Sequence, residues 1–318
     1  MPESPASPTP YEVLGVGSSV SQHELRMAYR RLLRETHPDT GGSAARFHAV
    51  QLAWERVGDP ADRAAYDRGH NARVTSPDAD APSAAGTRAP SRSRPEGSSL
   101  RARSYGHPGG QARLRYLDLI REWVGRGSDI PDPYDPALVR SAPREIRYTL
   151  AKALAEEATA RALVTLGIGY TIWNDVSTGR PGTRGGSNAK IDHVVLGPAG
   201  LFAVHSEDWG SEVSLQKGEV VGAALGDDEE PMHALGHDAR TLARSLGVRF
   251  TGLAIVVPDE SLAEPLMQVG RGRQSGAVLI RLSLLPQLLR NGLSGSERTS
   301  VDRVFELRTR LQNGIRFV

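Results

Sequence analysis

Four ionisable residues recur at alternate positions of two short apolar segments. Lys190 and Asp192 lie in AKIDHVVLG, and His205 and Glu207 lie in GLFAVHSED, with GPAG between the segments. This alternation around a glycine–proline turn predicts a β-hairpin, in which Asp192 faces His205 and Lys190 faces Glu207. Because side chains alternate between the faces of a strand, all four are expected on one face. Carboxylates that bind a divalent metal beside a lysine that activates water would support hydrolysis, and a solvated face is the simpler alternative.

A second chemically distinctive stretch is RRLLRETHPDTGG, where His37, Pro38 and Asp39 follow an arginine-rich segment. Proline disfavours helix in the residue before it, so the helix is expected to end at His37. The tripeptide then lies in a loop beside a basic helix face, a pattern typical of a surface that contacts another protein. The arginines of that face are Arg26, Arg30, Arg31 and Arg34.

Helical signals surround this stretch and define a domain over residues 8–70. Ser21 followed by Glu24 predicts a capping box at the start of the arginine-bearing helix. The segment AARFHAVQLAWERVG predicts a second long helix with Phe47, Val50 and Trp54 on its inner face. Two such helices joined by a short loop are expected to pack antiparallel and to hold the tripeptide at their tip.

This domain resembles the J domain of DnaJ-type co-chaperones, through PYEVLGV, AYRRLLRETHPD and AVQLAWERVGDPADRAAYD. The resemblance implies an all-α fold of four helices and a DnaK-type ATPase chaperone as partner. It assigns ATPase stimulation to the tripeptide His37, Pro38 and Asp39. It assigns docking to the helix face that carries Arg30 and Arg31, with Arg26 and Arg34 beside them. Guanidinium groups suit this role because they steer association and bind carboxylates with two hydrogen bonds.

Composition excludes several classes of protein. The 318 residues include no cysteine, so disulfide frameworks, cysteine nucleophiles and thiolate zinc sites are excluded. The net charge of +2 gives no global basic field for nucleic acid. The start, MPESPASPTP, lacks a signal-peptide pattern, and no apolar run approaches the roughly 20 residues that span a bilayer. We therefore expect a cytoplasmic protein without membrane association.

The rest of the chain divides into a linker, a connector and a second domain. Residues 71–110 are rich in proline, serine, glycine and alanine, which predicts a disordered linker. A helical connector is predicted over residues 111–140 and an α/β domain over residues 141–318, where a long helix near 144–167 precedes several strand-like runs.

The second domain resembles the nuclease-related domain (NERD), a branch of the restriction-endonuclease-like PD-(D/E)xK fold. IDHVVLGPAGLFAV carries the resemblance, together with EEATARALVTLG, which places Glu156 at the family's acidic helix position. In active members an aspartate, and then an acidic residue and a lysine two positions apart, bind a metal and activate water. Here Asp192 matches the aspartate, but His205 and Glu207 occupy the acidic and lysine positions. We therefore predict a catalytically degenerate domain, without a cofactor, that binds a client protein or nucleic acid.

Two alternatives remain for these residues. In a permuted nuclease site, Lys190 would replace the missing lysine and Glu207 the missing acid, with Asp192 and Glu156 completing a Mg²⁺ or Mn²⁺ site; His205 would favour Mn²⁺ or Zn²⁺. In a structural interpretation, Lys190 and Glu207 form a surface ion pair worth less than about 1 kcal/mol.

The spacing of His233 and His237 in HALGH also suits a metal, but no third ligand is evident, so a solvated helix face is preferred.

These patterns together predict a modular J-domain co-chaperone. Its N-terminal domain would bind a DnaK-type chaperone and stimulate its ATPase, and its nuclease-like domain would bind a client. The competing hypothesis is a metal-dependent nuclease that the J domain regulates.

Overall fold

The computed structural model describes residues 4–37, 42–69, 101–125, 127, 129–181, 188–226, 228–269, 276–293 and 298–318. The chain forms two compact units. Among the described residues, the N-terminal unit comprises those between 7 and 69 and between 130 and 143, and the C-terminal unit comprises those between 4 and 6, between 101 and 129 and between 144 and 318. Within the described ranges no helix combines the length and the apolar composition that crossing a membrane requires.

The N-terminal unit is helical, as predicted. Its helices are α1 (Pro10–Val13), α2 (Gln22–Thr36), α3 (Ala44–Val57) and α4 (Pro60–Gly69). The same unit includes α6 (Pro136–Ser141), which follows α5 (Gly110–Val124) of the C-terminal unit in the chain. The predicted capping box is confirmed: the Ser21 side chain accepts from the Glu24 amide, and the Glu24 carboxylate accepts from the Ser21 amide.

The core of this unit contains Leu25, Leu32, Val50 and Val57 among its buried residues. The predicted inner-face residue Trp54 stacks on the Tyr29 ring at 4.3 Å.

Arg63 of α4 joins the ends of the first two helices. Its guanidinium donates to the backbone carbonyls of Ser18 and Val20, each at 2.8 Å, and to the Tyr11 hydroxyl at 3.1 Å. The Tyr11 hydroxyl in turn donates to Asp67 at 2.8 Å. These polar contacts fix α4 against the segment that precedes α2, so that the unit does not depend on its small apolar core alone.

The C-terminal unit is a three-layer α/β fold. The helices are α5 (Gly110–Val124), α7 (Arg144–Val164), α8 (Pro231–Leu246), α9 (Leu285–Asn291) and α10 (Val301–Gly314). The strands are β1 (Arg103–Tyr105), β2 (Thr171–Pro181), β3 (Asn188–Gly197), β4 (Gly200–Ser206), β5 (Val213–Gln216), β6 (Glu219–Gly222), β7 (Gly252–Val257), β8 (Leu266–Gln268) and β9 (Ala277–Arg281).

Seven strands form a mixed sheet in the order β1-β2-β3-β4-β7-β9-β8, and β5 and β6 form a separate hairpin. One apolar cluster joins α7 and α9 to the sheet through residues such as Leu163, Val195 and Leu289. The other joins α8 and α10 to the sheet through residues such as Leu235, Ile255 and Leu311. The sheet is therefore covered by helices on both faces.

The predicted hairpin is confirmed, with its register, from the His193–Val204 pair to the turn, but the ladder does not include the predicted pairs Asp192–His205 and Lys190–Glu207. β3 and β4 are antiparallel, Gly197 pairs with Gly200, and Leu196 pairs with Leu201. Gly200 has a φ of 118°, and a Cβ there would lie 2.0 Å from the Thr251 hydroxyl, so the turn requires glycine. A one-residue shift would have moved every side chain of the hairpin to the opposite face.

Two predicted boundaries need correction. Part of the predicted linker is ordered, because Arg103–Tyr105 forms β1 and pairs parallel with β2; residues 70–100 lie outside the described residues. Much of the predicted connector also belongs to the C-terminal unit, since α5 packs on α7 and buries Tyr116 and Ile120 completely. The sequence pattern did not predict β1, because a three-residue strand forms only through hydrogen bonds to a neighbouring strand.

The first residues of the chain also contact the C-terminal unit. The Arg147 guanidinium donates to the Pro5 carbonyl oxygen at 3.3 Å, and the Ser4 side chain hydrogen-bonds to Asp208. Residues 4–6 therefore fold with a unit whose remaining sequence begins almost a hundred residues later.

Candidate functional site

The arginine face of α2 is the first candidate site. Arg26, Arg30, Arg31 and Arg34 are all exposed, and Arg31 lies 3.9 Å from Glu35 one turn further along the helix. Leu25, Ala28 and Leu32, on the opposite side of the amphipathic helix, are buried. Four guanidinium groups therefore line the solvent side of one helix, where they add little to the stability of the fold.

This face ends at His37, which terminates α2 with an extended backbone conformation. The His37 ring is half-buried and meets the Phe47 ring edge-on at 5.1 Å, so α3 fixes its orientation. Pro38 and Asp39, the other members of the predicted tripeptide, lie outside the described residues.

The second candidate site is a buried cluster in the C-terminal unit, formed by side chains from α7, β2, β3 and the residue that follows β4. Its members, which we call the lysine–carboxylate cluster, are two lysines and four acids: Lys152, Lys190, Glu156, Asp175, Asp192 and Glu207. Lys152 and Glu156 come from α7, one turn apart. The acids and Lys190 are less than a tenth exposed, so the cluster lies inside the unit.

Lys190 is the centre of one half of the cluster. Its ammonium nitrogen lies 2.5 Å from Asp175 Oδ1, 2.6 Å from Glu156 Oε2 and 3.1 Å from Asp192 Oδ1. Lys152 is the centre of the other half: it donates to Glu207 Oε1 and lies 3.8 Å from Asp192 Oδ2. Each lysine thus neutralises carboxylates that come from different elements of secondary structure.

Backbone amides hold the carboxylates independently of the lysines. The Ser206 amide donates to Asp192 Oδ2 at 2.9 Å, the Gln111 amide to Asp175 at 3.3 Å, and the Gly109 amide to Glu156 at 3.2 Å. A Cβ at Gly109 would lie 2.7 Å from the Ala153 carbonyl oxygen, so only glycine lets this segment approach α7. The start of α5 is therefore part of the site.

Asp175 has a left-handed backbone conformation, with a φ of 52°. Aspartate tolerates this region better than most residues, yet the conformation is uncommon within a strand. It turns the carboxylate towards Lys190, while the chain on either side keeps its pairing with β3.

Burial and mutual charge set the protonation of the cluster. Burial, with the Asp192 charge beside it, raises the pKa of Glu156 to about 8. Burial alone would raise the pKa of Asp192 too, but Lys152 and Lys190 hold it well below its usual range. Burial would lower the pKa of both lysines, but the carboxylates, Asp192 first, raise it. Glu156 is therefore the acid that keeps its proton near neutral pH.

The structure brings together all the residues predicted for this site. Ligand atoms of Asp192, His205 and Glu207 lie within 4.8 Å of one another. Lys190 contacts both Asp192 and Glu156. The predicted surface pair is wrong: Glu207 is buried and bonds to Lys152 and to the Tyr148 hydroxyl. Lys190 bonds to the other acids instead.

Three members of the site were not predicted, namely Lys152, Asp175 and Tyr148. Lys152 lies four residues before Glu156, and Tyr148 lies eight residues before it. These spacings place all three on one helix face, so a helical projection could have found Lys152 and Tyr148. Asp175 offered no such signal, because its role depends on the pairing of β2 with β3.

The histidines of HALGH lie on the exposed side of α8. His233 lies 3.2 Å from Glu230, and the Arg180 guanidinium lies 2.7 Å from His237 Nδ1 and 2.8 Å from Asp238. Among the described residues, neither histidine belongs to a group that could hold a metal.

Comparison with known proteins identifies both domains. Residues 9–67 match the family model of the DnaJ domain, and residues 151–257 match that of the nuclease-related domain. Both resemblances predicted from the sequence are thereby confirmed.

The curated relatives match the first domain. The chain is 44% identical over 61 residues to a chaperone protein DnaJ of Cyanothece. The aligned region covers 18% of this chain and 16% of that protein. It is 47% identical over 64 residues to the chaperone protein DnaJ of Bacillus licheniformis, 19% of this chain and 17% of that protein. The chain therefore spans less than a fifth of the length of these relatives. No solved structure is significantly similar to the chain.

Proposed function

We propose that the chain is a co-chaperone whose J domain binds a DnaK-type ATPase chaperone and stimulates its ATP hydrolysis. The observation that carries this proposal is the exposed arginine face of α2, which ends at a His37 ring fixed by Phe47. Exposed guanidinium groups favour a partner with an acidic surface, since they accelerate association and bind carboxylates at fixed geometry. The relatives that match this region are DnaJ chaperones.

The two parts of this surface have different roles. The arginines supply affinity and orientation, whereas the tripeptide His37, Pro38 and Asp39 makes contacts that only one conformation of the partner accepts. A ligand shifts a conformational equilibrium only by its difference in affinity for the two states. Loss of the tripeptide contacts should therefore abolish stimulation even where binding persists.

The test is the steady-state ATPase rate of a DnaK-type chaperone with the full-length protein, with His37→Gln and with His48→Gln. His48 is an exposed histidine on α3, and so it is a matched control. We expect stimulation by the wild type and by His48→Gln, and a basal rate with His37→Gln. Equal stimulation by all three proteins would contradict the proposal.

For the C-terminal unit we propose binding without hydrolysis, so that a client protein or nucleic acid is delivered to the chaperone. The position of Lys190 supports this. A divalent ion lies about 2.0–2.6 Å from its oxygen ligands, but the space among Glu156, Asp175 and Asp192 already holds an ammonium group. The residues as they stand therefore do not fit the divalent ion that the nuclease resemblance implies.

One observation favours the competing function, a metal-dependent nuclease. Asp192, His205 and Glu207 offer ligand atoms within 4.8 Å of one another, and His205 is only half-buried. The full-length protein should therefore be incubated with single- and double-stranded DNA and RNA in Mg²⁺ or Mn²⁺, beside Asp192→Ala. Cleavage that is lost in the variant would establish the nuclease. We expect none, and a mobility-shift assay with the same nucleic acids then tests binding separately.

A further inference from the structure

The contacts of Lys190 are those of a bound cation. Three carboxyl groups from α7, β2 and β3 direct one oxygen each at its ammonium nitrogen, at 2.6, 2.5 and 3.1 Å. Lys190 reaches them from the start of β3 and is nine-tenths buried. Few lysines are buried to this extent, and those that are need paired charges.

We propose that the Lys190 ammonium is a built-in cation that takes the place of a divalent metal, and that its removal converts the same carboxylates into a divalent-cation site. This inference rests on the proposed non-hydrolytic role of the C-terminal unit. The reason for that role is that the Lys190 ammonium, which is covalently attached to the chain, occupies the metal position. The acidic ligands around it are retained.

Two buried oxygens indicate that the ligands have unused capacity. Glu156 Oε1 accepts no hydrogen bond from any described residue, and Asp192 Oδ1 has only the 3.1 Å ionic contact with the Lys190 ammonium, although both side chains are at most 1% exposed. A buried carboxylate oxygen without a donor is costly, and a metal ion satisfies it directly. Lys190 has only three protons, so it cannot serve all six oxygens of the three acids.

The carboxylates should also keep their positions without Lys190. Backbone amides of Gly109, Gln111 and Ser206 each donate to one of the three acids, and these amides belong to elements that pack independently of the lysine. The vacated position would therefore be surrounded by preorganised oxygen ligands, the kind that Mg²⁺ and Mn²⁺ prefer.

The experiment compares the full-length wild type with Lys190→Met and with Lys217→Met, a matched loss of an exposed lysine. Mn²⁺ binding is followed by titration calorimetry and by the electron paramagnetic resonance signal of free Mn²⁺. Thermal unfolding is measured in Mn²⁺ and in EDTA. We expect Lys190→Met to bind one Mn²⁺ ion and to unfold at a higher temperature in its presence. Wild type and Lys217→Met should show neither effect.

Further variants locate the ion and allow for misfolding. Adding Asp175→Asn to Lys190→Met should abolish the uptake, because it removes one ligand. If Lys190→Met folds only when refolded with Mn²⁺, that dependence supports the proposal. Glu156→Gln combined with Lys190→Met keeps position 156 neutral, as the protonated Glu156 is, but removes a carboxylate that a metal could ionise; this variant should fold without metal and bind Mn²⁺ more weakly. The inference would be overturned if folded Lys190→Met with Glu156→Gln and refolded Lys190→Met both take up no Mn²⁺.

Wild-type protein that binds one Mn²⁺ ion through Asp192 would overturn it as well. These measurements contain no nucleic acid, so they are independent of the cleavage assay. Cleavage by the wild type refutes the non-hydrolytic role, whereas absent Mn²⁺ uptake in the Lys190 variants refutes only the built-in cation.

Discussion

The arginines of α2 and the lysines of the lysine–carboxylate cluster carry the same charge in opposite environments. Arg30 and Arg31 lie in solvent, and Arg31 has one acidic neighbour at 3.9 Å. Lys190 is buried among three acids, and Lys152 is bonded to Glu207. A solvated charge costs the fold little and remains available to a partner, whereas a buried charge is committed to its internal partners. The comparison therefore separates charges that the fold leaves in solvent from charges that the fold itself pairs.

The largest expected difference concerns Lys190. In the presence of EDTA, Lys190→Met leaves buried carboxylates without their cation, and the C-terminal unit should lose about 3–5 kcal/mol of unfolding free energy. Urea unfolding followed by tryptophan fluorescence measures this loss, since Trp173 and Trp209 are buried in that unit. Lys217→Met, on the surface, should change it by less than about 0.5 kcal/mol. Similar losses in both variants would remove the distinction between buried and exposed lysines.

A smaller effect is expected from His193, which is fully buried between Asn174 and Ser206. Burial lowers the pKa of His193 to about 3, below the ordinary value of about 6.5 that holds in the unfolded chain. The unfolded chain thus binds more protons in this window, so stability is complete above about pH 6.5 and falls as the pH decreases towards 3. Between pH 8 and pH 5 this histidine should account for a loss of about 2 kcal/mol.

The measurement is urea unfolding at both pH values for the wild type and His193→Gln, whose amide keeps a donor for Asn174. The difference between pH 8 and pH 5 should be smaller in the variant. Parallel changes in the two proteins would show that other groups cause the acid sensitivity.

The smallest effect on the fold is expected from the arginine face. Reversing two charges with Arg30→Glu and Arg31→Glu should change the unfolding free energy of the N-terminal unit by less than about 0.5 kcal/mol. Binding to a DnaK-type chaperone should weaken by about tenfold at low salt, mainly through slower association, and the loss should shrink at high salt. Surface plasmon resonance at two salt concentrations tests this, and unchanged association rates would place the docking surface elsewhere.

Local sequence rules predicted the elements whose signals are short-range. The Ser21–Glu24 capping box and the β3–β4 register were confirmed because each depends on residues close in the chain. The long helix predicted over 144–167 is found as α7, from Arg144 to Val164, since its apolar periodicity extends over several turns. The ligand atoms of Asp192, His205 and Glu207 do lie within 4.8 Å of one another, although the β3–β4 ladder stops short of these residues.

The sequence by itself determined that a J-like helical unit precedes a nuclease-like α/β unit, and which strand positions carry ionisable groups. Tertiary structure alone decided which charge meets which. Lys190 and Glu207 were expected to pair with each other. Instead, Lys190 bonds to Asp175 on β2, and Glu207 bonds to Lys152 on α7. It also brought β1 and the start of α5 into the C-terminal unit. The physical reason is that a buried charge is stabilised by every nearby charge and dipole in space, whatever its distance along the chain.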